Sequence, residues 1–369
     1  MKALLLEGAG NIQMKDIPKP KPLEGELLIR PLYSGVCFSE LHEYYPGWSF
    51  FSKGIILGHE VSGVVDEVGH GVEGWNVGDR LNLDPRQYCG QCLMCRAGFY
   101  TQCEKMAGWI GVSAKRSNGE FYNGAHAEYQ TVPTYACFKI PDTISDKAAS
   151  QVEPLCCGTR DVRHSGMVIG DNVVFLGLDD YSTGALHWTK LGGANRIIVV
   201  DPVEFRRTAA KKIGADIVID PTELDVVKSI REILPYGPDL VYVGQEDYIE
   251  PSVKYLKQAM DIVRLRGIVV LVRGYTREPF NGIDPTAYSL KEINLKSFGI
   301  FFGEEPWRGG KPRGDYQLTI DTMASGRINA ETHIAAVFPF DEIKTKQDVD
   351  EVYQTALKGG KTIFKIWGK

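Results

Sequence analysis

Four closely spaced cysteines constrain this chain more strongly than any other feature of its sequence. They follow the spacing C-x2-C-x2-C-x7-C, at Cys89, Cys92, Cys95 and Cys103. Tetrahedral Zn²⁺ binds thiolates at about 2.3 Å, and short loops allow neighbouring cysteines to converge on one ion. Because four thiolates leave no position for a substrate, the spacing predicts a structural zinc site, and any reactive metal must lie elsewhere.

Two other uses of clustered cysteines fit the sequence less well. An iron–sulfur cluster also takes four thiolates, but the bacterial ferredoxin run ends C-x3-C-P, whereas no proline follows Cys103 here. Disulfides require an oxidising compartment, and the apolar run before Glu7 is too short for a signal peptide. We therefore expect a cytoplasmic protein whose cysteines bind metal or are buried as thiols.

The composition excludes several classes of partner. With 369 residues, 43% of them hydrophobic, the chain can bury a substantial core and is more naturally two domains than one. A formal net charge of −5 gives no basic surface for nucleic acid. No stretch of about 18 apolar residues is present to span a bilayer. We expect a small-molecule substrate, with neither nucleic acid nor membrane as a partner.

The pattern of apolar residues changes along the chain. Up to about residue 150, short runs such as Glu26–Arg30 and closely spaced glycines from Gly54 to Gly78 indicate a partly closed β-rich domain. From about residue 170, apolar strands such as Asn172–Leu176 and Arg196–Asp201 alternate with helical stretches. Such strands indicate a parallel sheet covered on both faces, which predicts a doubly wound α/β domain.

A second, open metal site is suggested by three short segments. They contain Cys37, the pair His59-Glu60 and Glu153. Catalytic zinc keeps about three N, S or O ligands and one position for water or substrate, which these residues can provide. Taken singly each is weak evidence, because buried free cysteines are common and a His-Glu pair in a turn is usually a surface pair.

Taken together, these motifs occur in an order that resembles the zinc-dependent medium-chain alcohol dehydrogenase superfamily, and most closely its polyol branch of butanediol, sorbitol and threonine dehydrogenases. The resemblance extends over nearly the whole chain. It is carried by the four-cysteine loop and by Gly35-Val-Cys-Phe-Ser-Glu-Leu-His42, Leu57-Gly-His-Glu60, Val77-Gly-Asp-Arg80, Gly124-Ala-His-Ala-Glu-Tyr129 and Val152-Glu-Pro154.

The resemblance implies both a fold and a ligand set. The fold is α/β, with a β-rich, partly closed, GroES-like catalytic domain over residues 1–155 and 300–369 and a Rossmann-type nucleotide domain over 156–299. The catalytic zinc is held by Cys37, His59 and Glu60, and Glu153 is either a fourth ligand or a near neighbour. Family members are usually dimers or tetramers joined through sheet edges, for which Phe298–Phe302 is a candidate, so we expect a homodimer or homotetramer.

Residues near Cys37 suggest a route for the substrate proton. Zinc acts as a Lewis acid on the substrate oxygen. On an extended segment Ser39 would share the face of Cys37, and its hydroxyl could pass the alcohol proton to His42. The alternative for His42 is a partly exposed loop histidine. Glu40 and Arg160 are interpreted as solvated charges, with recognition of a polar substrate as the alternative, and His126 receives no role.

The nucleotide fingerprint departs from its usual pattern. A dinucleotide fold places three glycines at its first strand–helix turn, and the matching positions here are Gly177, Asp179 and Ser182. A carboxylate about 5 Å from one phosphate charge, at an effective dielectric near 20, costs about 3 kcal/mol. Exposure, rotation or protonation of Asp179 would reduce that cost.

The end of the second strand of this domain favours NAD over NADP. Asp201 lies about 20 residues after the fingerprint, where an acid binds the ribose 2′-hydroxyl and repels a 2′-phosphate. Arg206 follows closely and could soften that preference. The alternative for Asp201 is a helix N-cap before Pro202.

We therefore expect a zinc-dependent oxidoreductase that transfers hydride between a secondary alcohol, such as a polyol, sugar or cyclic alcohol, and NAD(H). The aromatic run Tyr44–Phe51 and Trp109 are candidates for the substrate walls. The disrupted fingerprint leaves two alternatives open. One is a non-redox zinc enzyme, a lyase, hydratase or hydrolase, on the same fold, and the other is a binding or structural member without activity.

Overall fold

The computed structural model describes residues 1–44, 51–105, 108–245, 253–272, 285–298 and 314–367. Most of the aromatic run Tyr44–Phe51 and most of the candidate edge Phe298–Phe302 lie outside these ranges. In chain order the described strands and helices are β1 Lys2–Gly8, β2 Asn11–Asp16, β3 Glu26–Gly35, α1 Phe38–Tyr44, β4 Ile55–Ile56, β5 Glu60–Val68, β6 Arg80–Leu83, α2 Leu93–Arg96, β7 Gln130–Pro133, β8 Cys137–Lys139, α3 Asp146–Ala149, α4 Val152–Ser165, β9 Asn172–Leu176, α5 Asp180–Leu191, β10 Arg196–Val200, α6 Glu204–Ile213, β11 Ile217–Ile219, α7 Val226–Ile233, β12 Leu240–Val243, α8 Val253–Ile262, β13 Ile268–Leu271, α9 Pro285–Leu290, β14 Asn294–Ser297, α10 Gly314–Ala324, β15 Ile334–Pro339, α11 Lys346–Leu357 and β16 Lys361–Lys365.

The chain divides into two compact units. The first comprises Met1–Glu153, Gly303–Leu357 and Lys361–Lys369, and the second comprises Pro154–Phe302 with Lys358–Gly360. Among the described residues, no helix has the length and apolar character needed to cross a bilayer.

The first unit is built on a mostly antiparallel sheet. Its strand order is β15-β16-β3-β5-β6-β8, β7 also pairs with β3, and a separate three-stranded sheet has the order β2-β1-β4. Among these pairs only β15 and β16 are parallel. Strands β3 and β5 form the longest pairing, and their β-branched and leucine side chains are fully buried at Leu27, Ile29, Val61 and Val65. The predicted β-rich region is therefore confirmed.

The second unit is the predicted doubly wound domain. The six strands described in this unit are all parallel and have the order β11-β10-β9-β12-β13-β14. The central strands are apolar without alternation, and Val173–Leu176 is wholly buried, as expected when helices cover both faces of a sheet. Counted from β9, this is the order 3-2-1-4-5-6 of dinucleotide-binding domains, whose ligands lie at the carboxyl ends of the strands where the order reverses. Here that point lies between β9 and β12.

Two glycines allow α4 and α5 to approach at backbone distance within this unit. A methyl group added to Gly184 would lie 2.8 Å from the carbonyl oxygen of Leu155 and 3.3 Å from the Cα of Gly158. A methyl group on Gly158 would collide with the backbone nitrogen of Ala185. The glycine at 184 therefore supplies a close packing contact two residues beyond the last fingerprint position.

We predict that Gly158→Ala lowers the free energy of unfolding by about 1–3 kcal/mol, because the added methyl overpacks the helix contact. Alanine is otherwise the better helix former by about 0.5–1 kcal/mol. The sign of the change in unfolding free energy therefore distinguishes overpacking from helix propensity. The midpoint of thermal unfolding by circular dichroism measures the effect, with Thr208→Ala on the exposed side of α6 as control. A raised midpoint for Gly158→Ala would contradict the close contact.

Candidate functional site

The four clustered cysteines converge as a single-ion site requires. Their sulfur atoms all lie within 4.8 Å of one another. The Sγ atoms of Cys89 and Cys95 are 4.0 Å apart, and so are those of Cys92 and Cys103. Four thiolates at about 2.3 Å from one zinc would be about 3.8 Å apart. The donor set therefore fits one tetrahedral ion better than a cluster whose thiolates bind different iron atoms.

Backbone amides prepare part of this site for a cation. The Cys89 sulfur accepts hydrogen bonds from the amides of Gln91 at 3.4 Å and Cys92 at 3.3 Å, and these bonds lower the pKa of the Cys89 thiol to about 6. The Cys92 sulfur caps α2 by accepting from the Cys95 amide, which also lowers the pKa of Cys92. Burial raises the pKa of Cys95. Amide hydrogen bonds thus favour the thiolate form that a metal requires.

A second donor group forms where β3 ends and β5 begins. Cys37, His59 and Glu60 are all buried, and their ligand atoms lie within 4.8 Å of one another. The antiparallel register places Gly35 opposite Glu60, so Cys37, two residues beyond Gly35, comes beside the Gly58-His59-Glu60 turn. One sulfur, one nitrogen and one carboxylate can hold zinc and leave a position open for another ligand.

Glu153 lies beside this group and is coupled to it electrostatically. It is buried, and burial raises its pKa well above the usual range. The adjacent His59 opposes that shift, whereas Glu60 and Cys37 add to it. The ligand atoms found within 4.8 Å of one another belong to Cys37, His59 and Glu60, and Glu153 is not in that group. The role of Glu153 as a ligand or a near neighbour stays a prediction.

A buried lysine balances the negative donors. Lys361 on β16 forms an ion pair with Glu60 and donates a hydrogen bond to the carbonyl oxygen of Val36 at 3.1 Å. Its side chain is 1% exposed. A methyl group on Gly35 would collide with the Glu60 carboxylate, so this glycine makes room for the ion pair. Lys361 therefore fixes the position of one predicted metal ligand.

Glu40 is the centre of a second buried network. Its carboxylate accepts a hydrogen bond from the amide of Gly58 at 2.8 Å and one from Nε2 of His126 at 2.9 Å. A carboxylate only accepts, so Nε2 carries the proton, and Nδ1 of His126 is bonded to the Ser34 hydroxyl at 2.9 Å. Glu40 also lies 3.7 Å from Nδ1 of His59. This network orients the histidine of the metal group, as partners of metal ligands commonly do.

The pKa of Glu40 follows from these contacts. Burial raises it, but His126, His59 and the Gly58 amide together hold it below its usual range. The interpretation of Glu40 as a solvated surface charge is therefore wrong, because its side chain is completely buried. Arg160 is also buried and not solvated surface.

Ser39 and His42 lie on a helix and not on an extended segment. Helix α1 begins at Phe38, so the premise of an extended segment for Ser39 is wrong. The Ser39 oxygen is shielded from solvent and makes no hydrogen bond within the described part of the chain. His42 is 5% exposed, and its ring stands edge-on to Phe38 at 4.4 Å, so the alternative of an exposed loop histidine does not hold.

Three contributors to this site escaped the sequence analysis: Lys361, His126 and Ser34. Their partners are distant in sequence and meet only in the folded chain. For Glu40 a signal was available, because it follows Cys37 by three residues at the start of α1 and so lies one helical turn away.

The turn after β9 in the second unit contains the predicted nucleotide contacts. Gly177 has φ of +81°, and a methyl group there would lie 2.5 Å from the carbonyl oxygen of Gln245. Asp179 is the N-cap of α5, and its carboxylate accepts from the amides of Tyr181 at 3.0 Å and Ser182 at 2.8 Å. The tight turn expected at the first fingerprint glycine is present. The amides of Tyr181 and Ser182 that follow it, however, bind the carboxylate of Asp179.

The acid at the end of β10 is also turned inward. Asp201 is completely buried and accepts from the amides of Leu178 at 2.7 Å and Val203 at 2.8 Å. Arg206 Nη1 lies 3.4 Å from the same carboxylate. Burial raises the pKa of Asp201, and Arg206 opposes that shift. Asp201 contacts the start of α6 through Val203, but the N-cap residue of that helix is Val203.

Comparison with known proteins identifies relatives over the full length. Residues 23–142 match the family Alcohol dehydrogenase GroES-like domain, and residues 182–324 match the family Zinc-binding dehydrogenase. The chain is 37% identical to L-threonine 3-dehydrogenase of Pyrococcus abyssi, over 99% of this chain and 97% of that protein. It is 32% identical to Probable D-xylulose reductase A of Aspergillus clavatus, over 98% and 96% respectively.

A solved structure agrees with these relatives. The crystal structure of 2R,3R-butanediol dehydrogenase from Bacillus subtilis superposes with a TM-score of 0.82 at 25% sequence identity, and the match covers 99% of each chain.

We predict that metal analysis of the purified protein returns two zinc ions per chain. Cys95→Ala should lose one ion and lower the unfolding midpoint, because the four-cysteine site holds its loop together through the metal. Cys37→Ala should lose the other ion and leave the fold intact. One zinc or none in the wild-type protein would contradict the two-site interpretation, and equal unfolding of both variants would contradict the distinction between them.

We predict that His126→Phe weakens zinc retention at the Cys37 group by about 10–100-fold, the usual effect of removing a partner of a metal ligand. The loss of a hydrogen bond to the buried Glu40 should also lower stability by about 1–3 kcal/mol. Competition with a chromophoric chelator measures the first effect. The control is His70→Phe, because the His70 side chain is 89% exposed. Unchanged zinc retention in His126→Phe would show that the network does not support the metal group.

Proposed function

Since the chain belongs to the zinc-binding dehydrogenase family with a GroES-like alcohol dehydrogenase domain, we propose that it interconverts a secondary alcohol and its ketone, with NAD as hydride acceptor or donor. One observation carries this proposal above the others, namely the buried sulfur, nitrogen and carboxylate donors of Cys37, His59 and Glu60. Such a mixed, three-membered set is typical of catalytic zinc, whereas the four-cysteine set is typical of structural zinc.

The residues of the first unit fit a zinc ion at both places. Cys37, His59 and Glu60 would hold the catalytic ion, with Glu153 beside it, and Cys89, Cys92, Cys95 and Cys103 the structural one. When bound, the catalytic ion polarises the substrate oxygen and favours the alkoxide of an alcohol. Lys361 and Glu40 hold Glu60 and His59 in place.

Ser39 and His42 are proposed to move the proton of the alcohol. The Ser39 oxygen is shielded and without a hydrogen-bond partner among the described residues, so its hydroxyl is available to a substrate. His42 lies on the same helix, three residues later. Residues at this separation on a helix are neighbours, so a proton accepted by Ser39 can pass to the imidazole of His42.

The substrate class is proposed from the relatives and from one aromatic ring. The named relatives act on threonine, xylulose and butanediol, as their names state. The Trp109 ring lies 6.5 Å from the ring of His59, so an aromatic surface borders the metal group. We propose a polyol, sugar or cyclic secondary alcohol, because aromatic faces stack on sugar and cyclic carbon skeletons.

NAD is the proposed hydride carrier because the order of the six described parallel strands is that of dinucleotide-binding domains and an acid, Asp201, directly follows β10. The phosphate position of the turn fits less well, because Asp179 already occupies it. The proposal includes a homodimer or homotetramer in the cytoplasm, on the precedent of the family. Size-exclusion chromatography with light scattering tests the oligomeric state.

A second candidate function follows from Asp179. A turn whose amides bind its own carboxylate favours a zinc enzyme that no longer uses a nucleotide, such as a lyase, hydratase or hydrolase. Direct calorimetric titration of the zinc-loaded protein with NADH separates the two candidates. Binding, followed by NAD⁺ reduction with a panel of polyols and cyclic alcohols, supports the oxidoreductase. Turnover of substrate without nucleotide would support the alternative.

We predict that Ser39→Ala lowers kcat by about 10²–10⁴-fold, the usual contribution of a positioned proton-transfer group. The zinc content and the affinity for NADH should not change, because Ser39 is not in either donor set. The rate of NADH formation measures kcat. The control is Ser117→Ala at an exposed position. A kcat within a few-fold of the wild-type value would remove Ser39 from the proton route.

A further inference from the structure

The start of α5 already contains an anion. In dinucleotide-binding domains the first amides of this helix remain free and bind the pyrophosphate. Here Oδ1 of Asp179 accepts from the amides of Tyr181 and Ser182 and from the Ser182 hydroxyl at 2.9 Å. Asp179 is only 2% exposed. The amides that a phosphate would bind are therefore engaged by a carboxylate of the same chain.

Residues next to Asp179 help to hold its carboxylate at the start of α5. A glycine at the third fingerprint position would leave Asp179 without the hydroxyl bond that Ser182 supplies. A methyl group at Gly244 would lie 2.4 Å from the carbonyl oxygen of Gly177 and 2.9 Å from the Ser182 oxygen, so the glycine at 244 leaves room for both the turn and the serine. The two departures from the fingerprint, Asp179 and Ser182, thus form one interacting pair.

The acid of β10 is committed to the same turn. The Asp201 carboxylate accepts from the amide of Leu178, the residue immediately before Asp179, and it is completely buried. Its other oxygen accepts from Val203. The group expected to bind a ribose hydroxyl therefore helps to hold the turn in the conformation that Asp179 caps. Asp179 and Asp201 thus both accept hydrogen bonds from amides of this turn.

We propose that Asp179 is an intramolecular occupant of the pyrophosphate position, so that a dinucleotide binds this chain only by displacing the Asp179 carboxylate from the amides of α5. This inference rests on the proposed function, since it concerns the nucleotide of that reaction. Displacement removes a helix cap and leaves a carboxylate near the phosphates. Both effects weaken nucleotide binding. The turn at Asp179 therefore sets how tightly a dinucleotide binds.

Two substitutions at one position separate charge from space. Asp179→Asn keeps an effective N-cap but removes the negative charge. Asp179→Gly restores the fingerprint residue and opens the turn. We expect the NADH dissociation constant to fall at least about 10-fold in Asp179→Asn and up to about 100-fold in Asp179→Gly, which corresponds to the repulsion expected for one charge near a phosphate.

The matched control is Asp225→Asn. Asp225 is the N-cap of α7 in the same unit, where its side chain accepts from the amide of Lys228, and it is exposed. This variant should leave the NADH dissociation constant unchanged. Circular dichroism and zinc analysis confirm that each variant is folded. If Asp179→Gly proves unstable, Asp179→Asn alone decides the question, because it retains the cap.

Calorimetric titration with NADH and the assay with secondary alcohols give distinct outcomes. Tighter binding in both Asp179 variants, with Asp225→Asn unchanged, supports the inference. An unchanged or weaker affinity overturns it, and if the wild-type protein still oxidises alcohols the proposed function stands alone. Absence of binding by all proteins, including Asp179→Gly, overturns the inference, because opening the turn does not admit the nucleotide. Tighter binding without alcohol oxidation by any protein supports the inference and contradicts the proposed function.

Discussion

The register between β3 and β5 is the constraint on which the candidate active site depends. It pairs Gly35 with Glu60, and the glycine is needed there because any side chain would collide with the Glu60 carboxylate. The same register brings Cys37 beside His59. A shift of one residue in this pairing would turn Glu60 to the opposite face of the sheet and separate the donors. The pairing of β3 with β5 thus brings the candidate metal ligands Cys37, His59 and Glu60 together from two segments of the chain.

Around this pairing the first unit buries several charged groups that stabilise the site only as a set. Lys361 neutralises Glu60, and His126 and the Gly58 amide satisfy Glu40. An unpaired charge in such surroundings would cost several kcal/mol, so the loss of one partner is more damaging than the pair is stabilising. The network therefore specifies the positions of Glu60 and His59 more than it adds to stability, and a metal ligand requires defined positions.

The candidate functional residues of the two units differ in how they are arranged. In the first, mixed zinc donors are buried, close together and supported by further residues. In the second, the strand order of a nucleotide domain is kept, but the turn at its switch point is capped by Asp179 and held by Asp201. Metal chemistry and nucleotide affinity can therefore vary independently in this chain, because the residues that control them belong to different local structures.

The sequence by itself determined the elements whose signal is local. The spacing of the four cysteines predicts their convergence, because short loops allow few other arrangements, and uninterrupted apolar strands between helices predict the parallel sheet. For Cys37, His59 and Glu60 each motif is weak by itself, and only the order of all the motifs, through the family resemblance, predicts that the three belong to one site. Only the tertiary structure decided the partners of these residues, since Lys361 meets Glu60 and His126 meets Glu40 across long stretches of chain. It also decided the direction of the Asp179 carboxylate: the residue identity predicts a negative charge near the phosphates, but its extended N-cap backbone turns that charge onto the helix amides.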